Sequence, residues 1–274
     1  MPELPDVETM RRYLQATSLH QQIANVEVRA AELLPDGEVI DQTTVGMLKE
    51  TLVGHAFAST SRYGKYLFVG LEGDVEDILV LHFGMSGELS YFKDMEDEPE
   101  YDRVLIHFSN GYHLAYEAVR KLGEVAVVDD IERFVAEKDL GPDALDPAFD
   151  LAAFQDVISG RRMMAKSLLM DQQSLAGIGN VYSDEILFQA GIHPRTKVNA
   201  LDEETVERLF HAMKDVLQTA IDYQSSPEAY PDSFITSHRH EDGTCPRCGT
   251  DLRRVKVSSR SAYYCPNRQE TPTS

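Results

Sequence analysis

Apolar and polar positions follow one another along this chain in two rhythms. Over residues 4–16 the apolar side chains return at helical spacing, and Asp6 and Glu8 stand near the start, where a helix dipole favours acids. From about residue 23 to 128 the rhythm shortens to β-branched and aromatic runs: Tyr66–Leu71, Ile78–Phe83, Val104–Phe108 and Glu124–Val128. Gly, Asn and Asp punctuate these runs, and Ser109-Asn110-Gly111 has the residue types of a hairpin turn. This stretch predicts an antiparallel sandwich or barrel with one leading helix, interrupted by an exposed loop at the charged run Asp94–Glu100. Residues 139–150, with Gly141-Pro142 and Asp146-Pro147, have a linker's composition. The helical rhythm resumes at 151 and lasts to about 224. It breaks at Ala176-Gly177-Ile178-Gly179-Asn180 and stops at Gly191-Ile192-His193-Pro194. From 232 the tail reads as short strands around three cysteines. The pattern therefore predicts an α+β chain: a β-sandwich with a leading helix over 1–138, a linker over 139–150, a helical domain over 151–231 and a hairpin over 232–274.

Composition narrows the function classes. At 274 residues the chain is long enough for two or three separate cores. No run approaches the roughly 18 apolar residues of a membrane span, and the N-terminus lacks a basic start followed by an apolar run. The three cysteines, Cys245, Cys248 and Cys265, argue against a disulfide framework and for a reduced compartment. A cytoplasmic or nucleoid-associated monomer is expected. The net charge of −20 looks wrong for a nucleic-acid binder until it is located. Residues 1–150 hold 12 basic against 30 acidic side chains, a net of −18, whereas 151–274 hold 14 against 16, a net of −2. Between 245 and 268, six basic residues (Arg247, Arg253, Arg254, Lys256, Arg260 and Arg268) face the single acid Asp251, a net of +5. An acidic body with a basic tip can dock on phosphates at short range, although long-range steering is weak.

Two motifs carry candidate chemistry. Cys245-Pro-Arg-Cys248-Gly has the form of a zinc knuckle, two thiolates on a tight turn. A second pair normally completes the tetrahedron, but Cys265-Pro266-Asn267 is followed by Arg268, where the spacing predicts a cysteine. A three-thiolate zinc site that recruits His238, His240 or water is one reading; a hairpin that folds without metal is a second, and reactive free cysteines are a third. At the N-terminus stands Met1-Pro2-Glu3-Leu4-Pro5-Asp6. Methionine is normally trimmed before a small residue, which leaves Pro2 as a free secondary amine. An α-amino group has a pKa of about 8, so a usable fraction is unprotonated at neutral pH. Such an amine can attack a sugar C1′ and form an iminium, and Glu3 beside it can protonate a leaving group or the ring oxygen. Proline at position 2 is common and alone implies little.

In combination the motifs say more. Met-Pro-Glu-Leu-Pro-Asp-Val-Glu-Thr resembles the start of the formamidopyrimidine-DNA glycosylases, of the Fpg and endonuclease VIII family. The resemblance continues in order down the chain. Arg62-Tyr63-Gly64-Lys65-Tyr66-Leu67 looks like the strand with that family's catalytic lysine, here Lys65. His82-Phe83-Gly84-Met85-Ser86-Gly87 resembles the loop whose methionine fills the space of a flipped base. Leu168–Gln172, Ala176–Tyr182 and Ala190–Pro194 together are similar to the family's helix–two-turn–helix element. Arg260, five residues before Cys265, falls where the finger arginine grips the lesion phosphate.

The resemblance implies a bifunctional DNA glycosylase and abasic-site lyase of base excision repair. It would act on oxidised bases of the formamidopyrimidine or 8-oxoguanine type in damaged duplex DNA, with zinc left open by the incomplete ligand set and no other cofactor. Pro2, Glu3, Lys65 and Arg260 would be catalytic. Met85, Arg120, Leu122, Arg162 and Asn180 would contact DNA, and Cys245, Cys248 and Cys265 would hold the metal. Each also has a plainer reading: Met85 as core, Lys65 as a solvated strand lysine, Arg162 as a surface helix charge. Gly177-Ile178-Gly179-Asn180 reads as a tight interhelical turn with exposed N–H groups suited to a phosphate. Departures accompany the matches. The family's Asp-Pro-Arg-Arg-Phe-Gly is here Ala118-Val119-Arg120-Lys121-Leu122-Gly123, so an aromatic wedge has become leucine, and residues 224–238 match no strong pattern. A catalytically weak relative that binds distorted DNA is the alternative, and a protein-interaction module built on the acidic half is a third reading.

Overall fold

The computed structural model describes residues 1–30, 33, 42–73 and 76–270. It divides into two units, Met1–Pro2 with Asp6–Lys138 and Glu3–Pro5 with Asp139–Ser274. Chain connectivity runs through both near the N-terminus, because helix α1 (Leu4–Thr17) starts in the second and continues in the first.

The first unit contains two four-stranded antiparallel sheets. One orders its strands β1 (Ile23–Val28), β6 (Asp102–Phe108), β7 (His113–Ala118) and β5 (Gly87–Phe92); the other orders β2 (Phe57–Tyr63), β3 (Tyr66–Leu71), β4 (Ile78–His82) and β8 (Glu124–Val128). Alternating strand positions from both sheets, among them Val26, Phe57, Leu67, Leu81 and Ile106, form one core with Val7 and Leu14 of α1. Ser109-Asn110-Gly111 turns β6 into β7 as the sequence suggests: Gly111 has φ +82° and the Asn110 side chain accepts from Tyr112 N at 3.0 Å. The sandwich has more than its leading helix, however. Helix α2 (Gln42–Leu52) follows β1, and α3 (Ile131–Glu137), capped by the Asp130 side chain at Arg133 N, follows β8. Two threonines, a valine and a glycine give α2 poor intrinsic propensity, and its buried Leu48 and Leu52 form a stripe too short to stand out.

The second unit is helical. Helices α4 (Leu151–Ile158) and α7 (Glu203–Asp222) start at Asp150 and Asp202, whose carboxylates accept from Ala153 N and Thr205 N, both at 2.9 Å. Between them lie α5 (Ala165–Met170) and α6 (Asn180–Ala190), the latter closed by Gly191 at φ +70°. Residues 139–150 are packed rather than free as a linker's composition implies. Ala144 and Phe149 join the helical core, and the 141–144 backbone exchanges hydrogen bonds with Gln172 and Ala176. Strands β9 (Arg253–Val257) and β10 (Arg260–Tyr264) form the terminal hairpin. A small core of Phe188, Ile235, Cys245, Leu252 and Cys265 roots it on α6. Gln269 strengthens the root, its oxygen accepting from Cys265 N and its amide donating to Ile192 O, both at 2.8 Å.

Candidate active site

Glu3 occupies a seat built by the glycine-rich turn. One carboxylate oxygen accepts from Gly179 N at 2.7 Å and Tyr182 N at 3.2 Å, and the other accepts from Val181 N at 2.8 Å. These N–H groups begin α6, where the backbone lacks intrahelical acceptors and the dipole favours an anion. Three N–H groups at the turn, those of Gly179, Val181 and Tyr182, are therefore taken by Glu3. Glycine is required there: a Cβ on Gly179 would stand 2.5 Å from Glu3 Cδ, and Gly177, at φ +111°, would meet Leu4 Cδ1 at 2.5 Å. Leu4 N donates to Gly177 O at 2.9 Å, so the main chain beside Glu3 is fixed as well. Pro2 is bonded to this seated residue and is partly exposed.

Lys65 lies with Gly64 in the two-residue turn that joins β2 to β3, since Tyr63 pairs with Tyr66. It is 8% exposed, so it is neither on a strand nor solvated as its plain reading required. Arg62 supports the turn by donating to Gly64 O at 3.1 Å. On β4, the His82 ring lies tilted by 33° against Tyr66, with 4.8 Å between ring centroids. Burial pushes the His82 pKa down to about 4; the Glu124 carboxylate opposes this, while the Lys65 and Lys138 ammonium groups add to it. A neutral imidazole thus stands beside the lysine turn at neutral pH.

Met85, Arg120 and Leu122 come together on two adjoining loops. Gly84, at φ +56°, approaches so closely that a Cβ there would lie 2.4 Å from the Leu122 carbonyl carbon and oxygen. Arg120 Nη1 points at Met85 Sδ from 3.4 Å. Met85 is 41% and Leu122 57% exposed, so Met85 is not core. With Val119, also exposed, they form a projecting apolar edge suited to filling space between bases.

The remaining sequence candidates lie on the second unit. Arg162 is exposed but belongs to the connection between α4 and α5, not to a helix. Asn180 opens α6, and its buried side-chain oxygen has no hydrogen-bond partner among the described residues. Arg260 is exposed at the first position of β10, opposite Val257 across a turn in which Ser258 and Ser259 both take positive φ. The sulfurs of Cys245, Cys248 and Cys265 lie within 4.8 Å of one another, with 3.5 Å between Cys248 and Cys265. Three thiolates so placed fit three corners of a tetrahedral zinc ion. Among the described residues no histidine or carboxylate joins the cluster, so neither His238 nor His240 completes it. Arg268 turns elsewhere, its guanidinium carbon 6.0 Å from the Phe188 ring centroid, and Arg247 meets the same ring at 5.3 Å.

Two buried polar clusters went unnoticed in the sequence. Glu185, inside the second unit, has its pKa raised by burial although Thr236 and Gln189 donate to it; it pins the chain after Phe234 to α6. Lys166, Asp184 and Arg239 meet at the first turn of α6. No spacing rule marks such residues, since Asp184 lies 55 positions from Arg239 and Glu185 lies 51 from Thr236.

Residues 1–125 match the family model of the formamidopyrimidine-DNA glycosylase N-terminal domain, 140–229 that of the formamidopyrimidine-DNA glycosylase H2TH domain, and 243–267 that of the zinc finger found in FPG and IleRS. The chain is 33% identical to the formamidopyrimidine-DNA glycosylase of Pelotomaculum thermopropionicum, with 98% of this chain and 99% of that protein covered. It is 36% identical to that of Moorella thermoacetica over 93% and 95% of the two chains. Among solved structures, the Lactococcus lactis protein in complex with DNA containing N7-benzyl-Fapy-dG superposes with a TM-score of 0.86, at 28% identity over 98% of this chain and all of the other.

Proposed function

Since this chain belongs to the formamidopyrimidine-DNA glycosylase family, we propose that it excises oxidised bases of the formamidopyrimidine or 8-oxoguanine type from duplex DNA and then cleaves the strand. The observation that carries this reading is the Glu3 seat. A main-chain cradle holds one carboxylate, through three N–H donors, at the residue next to the candidate nucleophile.

In the proposed reaction the damaged nucleotide leaves the base stack, and Met85 and Leu122 occupy the space it vacates. The Pro2 nitrogen, freed by loss of Met1, attacks C1′ as the glycosidic bond breaks and the base departs with a proton. Glu3 serves the ring oxygen as the sugar opens, and loss of the ring C–O bond leaves an iminium between Pro2 and C1′. Removal of a C2′ proton expels the 3′ phosphate, and a second elimination expels the 5′ phosphate. Lys65 serves these proton transfers, Arg260 holds the lesion phosphate, and Arg120, Arg162 and Asn180 contact the DNA. Zinc held by Cys245, Cys248 and Cys265 would supply structural stability to the hairpin and takes no part in the chemistry. The molecule works as a monomer in the cytoplasm or on the nucleoid.

An excision panel tests the function. Duplexes carrying single oxidised purines or pyrimidines are incubated with protein beginning at Pro2, and released base and nicked strand are measured separately. Turnover with both products is expected on at least one oxidised purine. Salt-sensitive binding of these duplexes with no release and no nick would contradict the reading and leave a DNA-binding protein without catalysis.

A further inference from the structure

Three charged side chains meet at the first turn of α6 without a part in the chemistry proposed above. Lys166 Nζ donates to Asp184 Oδ1 at 2.6 Å, Ser183 Oγ at 2.9 Å and Asn180 O at 3.1 Å. Arg239 reaches Asp184 Oδ2 through Nε at 3.1 Å and Nη2 at 2.8 Å, and Nη2 also donates to Asn180 O at 3.1 Å. The same Asp184 oxygen accepts from Tyr263 N on β10 at 3.1 Å, and the Arg239 guanidinium lies over the Tyr263 ring at 5.6 Å. Lys166 and Asp184 are completely buried, and the Arg239 side chain is 12% exposed.

Burying these charges is costly, and apolar packing of similar volume generally stabilises a fold at least as well. What apolar packing cannot supply is direction. Both Asp184 oxygens are engaged, and the bonds fan out to α5, to the chain entering the finger and to β10. The Asn180 carbonyl is gripped from two sides in the turn whose Gly179, Val181 and Tyr182 N–H groups hold Glu3. Three residues before Tyr263, the same strand carries Arg260. One hub therefore fixes both the carboxylate seat and the strand that presents the finger arginine.

We propose that Asp184 and Arg239 are positioning residues that hold Arg260 in register with the Glu3 seat, so that phosphate grip and sugar chemistry address one nucleotide. This rests on the reading of Arg260 as the lesion-phosphate contact. Arg239→Met tests it, because the Lys166–Asp184 pair stays intact. KM for damaged duplex should rise about tenfold with kcat within about twofold, and the slope of log binding constant against log salt should fall by about one, as expected for Arg260→Ala itself. In the double variant Arg239→Met/Arg260→Ala, the loss should stay within about twofold of Arg260→Ala alone, since one residue acts through the other. A lower melting temperature with unchanged KM would overturn the proposal, as would losses that multiply in the double variant. Both results are distinct from failure of the underlying reading, which would appear as an Arg260→Ala protein with normal binding and an unchanged slope. Should Arg239→Met not fold, Arg239→Gln, which retains amide donors toward Asp184, provides the same comparison with the same deciding outcomes.

Discussion

At the scale of single residues, backbone geometry decides what the candidate groups can do. Three main-chain donors seat Glu3, and the seat is open because the turn beneath it carries no side chain at Gly179. Gly179→Ala places a methyl group 2.5 Å from Glu3 Cδ and must move the carboxylate. Excision should fall by about a hundredfold or more, the scale of losing one positioned catalytic group, while affinity for DNA containing a stable abasic analogue changes little. Equal losses in binding and excision would mean that the turn contacts DNA instead of seating Glu3. His82 yields a pH prediction. Its folded pKa of about 4 lies below the ordinary value of 6.5. Between these values the unfolded chain binds a proton that the folded chain refuses, so stability contributed in full above pH 6.5 is lost as pH falls toward 4. The slope from this group is at most about 1.4 kcal/mol per pH unit. Denaturant titrations of His82→Gln should show a flatter stability curve over that window; an unchanged slope would refute the assignment.

At the scale of elements, patterning revealed what repeats and missed what is isolated. Strands β3, β4, β6 and β8 were legible because apolar positions recur within them, and α7 because Val206, Leu209, Phe210, Met213, Val216, Leu217, Ala220 and Ile221 form one buried stripe. Helix α2 was not legible, since threonine, valine and glycine weaken its helical signal. Residues 139–150 have the glycines and prolines of a linker yet pack into the helical core, because composition reports turns and says nothing of what covers them. The candidate site divides in the same way. Pro2, Glu3, Lys65 and the cysteines stand in local motifs, whereas Lys166, Asp184, Glu185 and Arg239 acquire meaning only when distant segments meet. Met85 and Leu122 were visible as residues, but their adjacency follows from the approach of Gly84 to the Leu122 backbone. That adjacency makes a prediction about two loops acting as one edge. Leucine fills space but stacks weakly on bases, so discrimination between bases opposite the lesion should be poor, and Leu122→Phe should sharpen it. Met85→Ala should reduce excision by leaving the vacated stack unfilled; normal excision and binding by Met85→Ala would return Met85 to a structural role.

At the scale of the whole molecule, the acidic balance and the DNA-directed chemistry are reconciled by location. The net charge of −18 belongs to residues 1–150, whereas the segment 245–268 carries +5 and includes Arg260. At physiological salt the Debye length is about 8 Å, so a phosphate bound by the basic segment would feel only weakly any charge beyond that range. The hairpin also holds itself by more than thiolates: Gln269 clamps its root, and Arg247 and Arg268 lie against Phe188. The proposed chemistry has one requirement, a free amine at residue 2 beside a seated carboxylate. While Met1 remains attached, the Pro2 nitrogen is a tertiary amide with no lone pair available for attack. Borohydride reduction in the presence of DNA with a single abasic site reads this requirement directly, because it converts an iminium into a stable protein–DNA link. Protein trimmed to Pro2 should yield the covalent adduct and protein with Met1 retained should not. An adduct formed equally well by both, or by neither, would contradict the account.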